Sequence, residues 1–118
     1  MQESVKEGKY IYCIIEETAL KNFGPLGIGG RGDVLYTISC AGVSAVVSNA
    51  LVKKYAVSRD NTLAHEKAIE EVMKEYTVLP VRFCTIAESE DVVRKILEYE
   101  IDKLIPLFNK VKAKENWA

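Results

Sequence analysis

The chain has 118 residues, a formal net charge of −1, 48% hydrophobic and 28% charged residues, which is the composition of one globular domain with its own core. Acids and bases are interleaved, so neither a basic face for nucleic acid nor a polybasic patch for an anionic membrane is expected. No apolar run approaches the ~18 residues of a membrane span, and the polar opening MQESVKEGK does not read as a signal peptide.

Cys13, Cys40 and Cys84 are scattered among apolar residues. Without a CxxC pair or a second histidine they make no zinc pattern, and they read as small buried hydrophobes of a reducing cytosol. No metal, cofactor or catalytic residue is expected.

Lys9 to Glu16 predicts a largely buried strand, with β-branched and aromatic residues on both alternations. The glycine-rich stretch GPLGIGGRGD, Gly24 to Asp33, follows. Its Gly27-x-Gly29-x-x-Gly32 spacing matches the letters of a dinucleotide fingerprint, but β-rich sequence follows where a helix is required. It therefore reads as a flexible connection that turns the chain. Val34 to Cys40 is a second strand, Ala41-Gly42 a turn, and Val43 to Ser48 a third strand.

From about Asn61 an amphipathic helix is predicted, capped by Asn61 or Thr62, with His65, Ile69, Val72 and Tyr76 on its apolar stripe. Val78 to Ile86 is the fourth strand; Pro80 cannot donate to a ladder, which places it at the strand's start or on a sheet edge. Ser89 caps a last helix with the stripe Val93, Leu97, Ile101, Leu104, Phe108 and Val111, kinked or divided at Pro106 and frayed after about residue 112. The order β-β-β-α-β-α predicts an α+β fold: a mainly antiparallel four-stranded sheet with helices on one face, a ferredoxin-like arrangement being one option.

His65-Glu66 opens like a zinc-protease HExxH helix, but Ile69 stands where the second ligand belongs. On an apolar stripe His65 is expected to be half-buried, neutral and hydrogen-bonded to backbone or a neighbouring strand. As an acid–base pair the two neighbours diverge by about 100° around the helix. Arg82, between Val81 and Phe83, is expected to be paired with Glu16, Glu66 or Glu70, a structural ion pair being favoured over an anion-binding role.

His65-Glu66, the helix after them, and Val78-Leu79-Pro80-Val81-Arg82-Phe83-x-Thr85 together resemble the GvpL/GvpF family of gas vesicle proteins. That family has a helix starting at a His-Glu pair and running into a strand written V-L-P-V-R-F-G-T. The Tyr10-x-Tyr12 strand, the loop Gly27 to Gly30, and Gly42 to Ser48 are also similar to it. Cys84 departs from the pattern, which has glycine there. His65, Glu66, Leu79, Pro80, Val81, Arg82, Phe83 and Thr85 are thereby marked as motif positions.

The resemblance implies a non-enzymatic accessory protein of gas vesicles, in the cytoplasm and on the vesicle. It would assist shell assembly, or form a minor shell component, by binding the apolar shell protein and other accessory proteins. Family members are typically about twice as long, so the chain reads as an amino-terminal domain or a short member. Ile101, Ile105, Leu107 and Phe108 exceed what one core needs and are a candidate interface for the shell protein, a missing second domain or a second copy of the chain. The rival reading is a small-ligand-binding or regulatory domain with an uncovered sheet face.

Overall fold

The structure, a computed structural model, describes residues 6–115. In chain order it contains β1 (Glu7–Ile15), β2 (Asn22–Gly24), β3 (Leu35–Cys40), β4 (Val43–Leu51), α1 (Arg59–Met73), β5 (Val78–Ala87) and α2 (Glu90–Glu115). The strands form one sheet in the order β2-β3-β4-β1-β5, with every neighbouring pair antiparallel. The α+β class and the antiparallel sheet are as expected.

Three features of the architecture differ from the sequence reading. The sheet has five strands, because Asn22–Gly24 adds a short edge to β3. The order β-β-β-β-α-β-α is not the β-α-β-β-α-β of a ferredoxin-like unit. The helices cover opposite faces of the sheet. Along β4, Val46 and Ala50 join the core that contains Ala68 and Val72 of α1. Their neighbours Val43, Ala45 and Val47 join the core of Val93, Leu97, Leu104 and Phe108 of α2. This alternation is the two-residue period of a strand, and a strand apolar on both alternations needs cover on both sides.

β3 and β4 meet across Ala41-Gly42, whose φ values of 55° and 89° are both positive, with Cys40 paired to Val43. That is the handedness a two-residue hairpin needs to match the strand twist. Pro80 lies in β5, an edge strand, which is where a residue without an N–H is tolerated in a sheet.

The helix ends also move. α1 starts earlier than Asn61 because Ser58 caps it, its Oγ accepting the Asn61 N–H at 3.1 Å. Ser89 caps α2, accepting the Val92 N–H at 3.3 Å. α2 is not divided at Pro106 and runs past residue 112 to Glu115; Lys112 pairs with Glu16 near its end. Residues 116–118, the remainder of the tail expected to fray, lie outside the described residues.

Candidate functional site: a buried tyrosine–histidine cluster beneath two loops

In β1 the register slips at Tyr12. Ile11 pairs with Val47 and Cys13 with Val46, so Tyr12 is an extra residue in β1. Against β5 the irregularity is larger: Ile11 faces Thr85 and Cys13 faces Pro80. Val81, Arg82, Phe83 and Cys84 therefore bulge out of the edge strand opposite a single residue. This bulge is the heart of the Leu79-Pro80-Val81-Arg82-Phe83 motif.

Such a bulge frees backbone polar groups, and buried side chains take them up. His65, 7% exposed on α1, places Nε2 3.0 Å from the Val81 carbonyl and Nδ1 2.9 Å from the Tyr10 hydroxyl. A carbonyl can only accept, so Nε2 carries the proton and Nδ1 accepts from Tyr10 O–H. The Tyr10 oxygen in turn accepts the Cys84 N–H at 2.8 Å. One neutral histidine thus fastens both ends of the bulge, directly at Val81 and through Tyr10 at Cys84. Burial lowers the His65 pKa, opposed by the bond to Val81 and by Glu66. It raises that of the Tyr10 phenol, opposed by the Cys84 N–H.

Tyr12 does the same for the glycine-rich loop. Its hydroxyl, 2.8 Å from Ser48 Oγ, accepts the Ile28 N–H at 2.7 Å. Ile28 is buried, Gly27 N–H donates to the Asp33 carbonyl at 2.9 Å, and Arg31 pairs with Glu7 and Asp33. At Gly27 an added Cβ would stand 2.8 Å from the Asp33 carbonyl oxygen, so only glycine fits. The loop is therefore a tied structure rather than the flexible connection expected. Its glycines 27, 29 and 30 line a depression of about 480 Å³ with Lys53 and the Asp60-Asn61 start of α1.

The rings pack as one aromatic group. Tyr10 and Tyr12 have centroids 4.7 Å apart, and His65 meets Tyr10, Tyr12 and Phe83 at 5.6, 5.7 and 5.7 Å.

The motif residues thus divide. His65 and Phe83 belong to the cluster, as do the Val81 carbonyl and the Cys84 amide. Leu79 and Val81 pack their side chains on the opposite core, under α2. Thr85 Oγ1–H donates to the Arg82 carbonyl at 2.7 Å, closing the bulge on itself. Glu66 is exposed, on the solvent side of α1.

Arg82 needs correction: it is exposed, and among the described residues it makes no ion pair. The bulge carries it out of the apolar strand, which removes the need for a buried carboxylate. Of the expected partners, Glu16 pairs with Lys112, while Glu66 and Glu70 face solvent. Nor are all three cysteines buried: Cys13 is, and burial pushes its thiol up to about 12, but Cys40 and Cys84 are only half-buried.

In the proposed interface Phe108 is 0% exposed and fills the core under α2, so it is closed to a partner. Ile101 is partly buried, while Ile105 and Leu107 are open at 37% and 48%.

Sequence reasoning missed Tyr10, Tyr12 and Ser48. A signal was present: two tyrosines at i and i+2 on an apolar strand carry hydroxyls that burial obliges to find partners.

The arrangement is a structural clamp. Both imidazole nitrogens are engaged, and among the described residues no group of three His, Cys, Asp or Glu converges as a metal site. Among the described residues no helix is long and apolar enough to cross a membrane.

The class defined by this geometry is a two-helix antiparallel α+β domain that presents two tied loops on one buried polar cluster. The sequence pattern of the family described as "Gas vesicle synthesis protein GvpL/GvpF" matches residues 8–118, and the chain belongs to that family. It is 29% identical over 110 residues to gas vesicle protein F of Nostoc sp. (strain PCC 7120 / SAG 25.82 / UTEX 2576), covering 91% of this chain and 44% of that protein. The crystal structure of GvpF from Microcystis aeruginosa matches with a TM-score of 0.75 and 29% identity, over 87% of this chain and 43% of that one. That of GvpF from Anabaena sp. PCC7120 matches with a TM-score of 0.71 and 27% identity, over 89% and 43%. The chain thus spans less than half the length of these relatives.

Proposed function

We propose that the chain is a non-enzymatic accessory protein of gas vesicles, acting in the cytoplasm by binding the apolar shell protein and other accessory proteins during shell assembly. The observation that carries this reading is the family match, which runs from Gly8 through the rest of the chain and includes both loops and both helices. We take the chain as the counterpart of the family's amino-terminal domain.

The physics of the task suits a binding protein. A shell subunit apolar enough to exclude water aggregates unless its apolar surface is covered before assembly. Here Ile105 and Leu107 on α2 and the open edge of β5 supply contact surface. The rival reading, a small-ligand domain, called for an uncovered sheet face with an apolar pocket near Arg82; both faces carry a helix, while a depression of mixed lining does lie beside Arg82.

The test is capture of the shell protein by the purified, folded chain, with deletion of its gene in a vesicle-forming host. Capture together with lost or misshapen vesicles is the expected result. A folded chain that captures nothing, in a host whose vesicles are unchanged, overturns the reading.

A further inference from the structure

We propose that the β5 bulge and the loop before α1 form a recognition site for a carboxylate-bearing, partly apolar segment of a partner protein, with Arg82 and Lys54 as the carboxylate ligands. This rests on the binding function proposed above and names a surface for it.

Arg82, Phe83, Cys84 and Thr85 form one wall of a depression of about 570 Å³, and Lys54 and Val57 help form the other. Both cations are exposed, neither makes an ion pair among the described residues, and no acid lines the depression. Of the other exposed arginines, Arg31 and Arg94 are each held by two carboxylates of this chain, while Arg59, at the start of α1, also makes no ion pair among the described residues but does not line this depression. A free guanidinium offers the planar fork that binds a carboxylate through two parallel hydrogen bonds.

The walls are tied to each other. Tyr55, buried between Lys54 and Val57, donates its N–H to Cys84 Sγ at 3.3 Å. The bulge is pinned from below by Tyr10 and His65. It holds Cys84 at a φ of 66°, a left-handed conformation that a side chain disfavours. A pre-formed site loses less freedom on binding than one that must order itself.

The lining also selects the ligand. Val57, 86% exposed, and the half-buried Phe83 provide apolar contact beside the two charges. Two cations with apolar walls suit an acidic peptide carrying aliphatic side chains. A nucleic-acid backbone calls for a longer basic track.

The experiment titrates the isotope-labelled chain with a short synthetic peptide alternating glutamate and leucine, a lysine–leucine counterpart, and inorganic phosphate. Amide shifts are read by nuclear magnetic resonance. Expected are saturable shifts confined to residues 54–57 and 82–85 with the acidic peptide alone, weakening as salt is raised. Arg82→Gln combined with Lys54→Gln should weaken binding at least about tenfold, as loss of charge-assisted hydrogen bonds does, with the urea midpoint unchanged; Arg82→Lys should recover only part.

No shift, shifts elsewhere, an equal response to the basic peptide, or saturation of these amides by phosphate alone overturns the site. If the double variant still captures the shell protein and the acidic peptide does not bind, the site falls and the vesicle reading stands. If the peptide binds as expected and the wild-type chain captures no vesicle protein, the site stands without that reading.

Discussion

His65 shows how much one side chain can settle. Its neutral form satisfies Val81 and Tyr10 at once, whereas a protonated ring would donate from Nδ1 and leave the Tyr10 hydroxyl proton without its acceptor. The folded-state pKa therefore lies below the unfolded value of about 6.5. Above that pH neither state is charged and the clamp contributes fully. As pH falls below it, the unfolded chain takes up a proton that the folded chain resists, so stability declines toward the folded pKa. The urea midpoint should be lower at pH 5.5 than at pH 7.5, and His65→Gln should flatten that difference while lowering stability at the higher pH. Tyr10→Phe keeps the ring but strands the Cys84 N–H and His65 Nδ1; a loss of about 1–3 kcal/mol is expected in urea denaturation, the penalty for unsatisfied buried groups. Cys84→Gly works the other way. Glycine accepts a φ of 66° without the penalty of a Cβ, which is roughly 1–2 kcal/mol. Part of this is offset by glycine's greater freedom when unfolded and by the lost Tyr55 N–H contact to sulfur, so a net gain of about 1 kcal/mol is expected, against a loss for Cys84→Val.

Periodicity made the long elements legible. β1, β3, β4 and α1 carry their patterns over most of their length, and the Ala41-Gly42 hairpin announces itself. β2 did not, since three residues hold no period, and Asn22–Gly24 is a strand only because β3 offers it an edge. The side each helix takes was also hidden: β4 is apolar on both alternations, which says that two faces are covered but not by what. For the site, the burial and neutrality of His65 followed from its place on a stripe. The exposure of Arg82 could not be read, because a strand pattern assumes an even pleat and the bulge of residues 81–84 breaks it. Pro106 is the clearest case of packing overriding local preference. An interior proline costs a helix about 3 kcal/mol, yet α2 continues through it because Leu104 and Phe108 on either side are locked into the core. Pro106→Ala should therefore raise stability by about 1–3 kcal/mol in thermal or urea unfolding, with unchanged helix content by circular dichroism. A rise in helix content would mean that α2 is broken at Pro106 in solution.

At the scale of the molecule, the sheet is a partition between two cores, and β1 and β4 contribute to both. Tyr10 faces the α1 side and Ile11 the α2 side, so neither face can be lost without exposing residues that also hold the other in register. α2 is the sole helix over its face among the described elements, and it anchors there through Val93, Leu97, Leu104 and Phe108. Each fully buried side chain of this kind contributes about 1.5–3 kcal/mol. Phe108→Ala should cost about 3–5 kcal/mol, through lost transfer energy and the cavity left behind. Leu107→Ala, one residue away on the solvent side, should stay within about 0.5 kcal/mol, as exposed substitutions do. Because the cores share strands, the Phe108 loss should appear as one earlier unfolding transition by both the nuclear magnetic resonance signals of Tyr10 and Tyr12, which report the α1 core, and circular dichroism. Two separated transitions, with the tyrosine cluster surviving after α2 detaches, would show the faces to be independent. A single transition would mean that the buried clamp beneath the β5 bulge depends on a helix on the far side of the sheet, and that whatever binds the outer surface of α2 can steady the clamp by favouring the folded form.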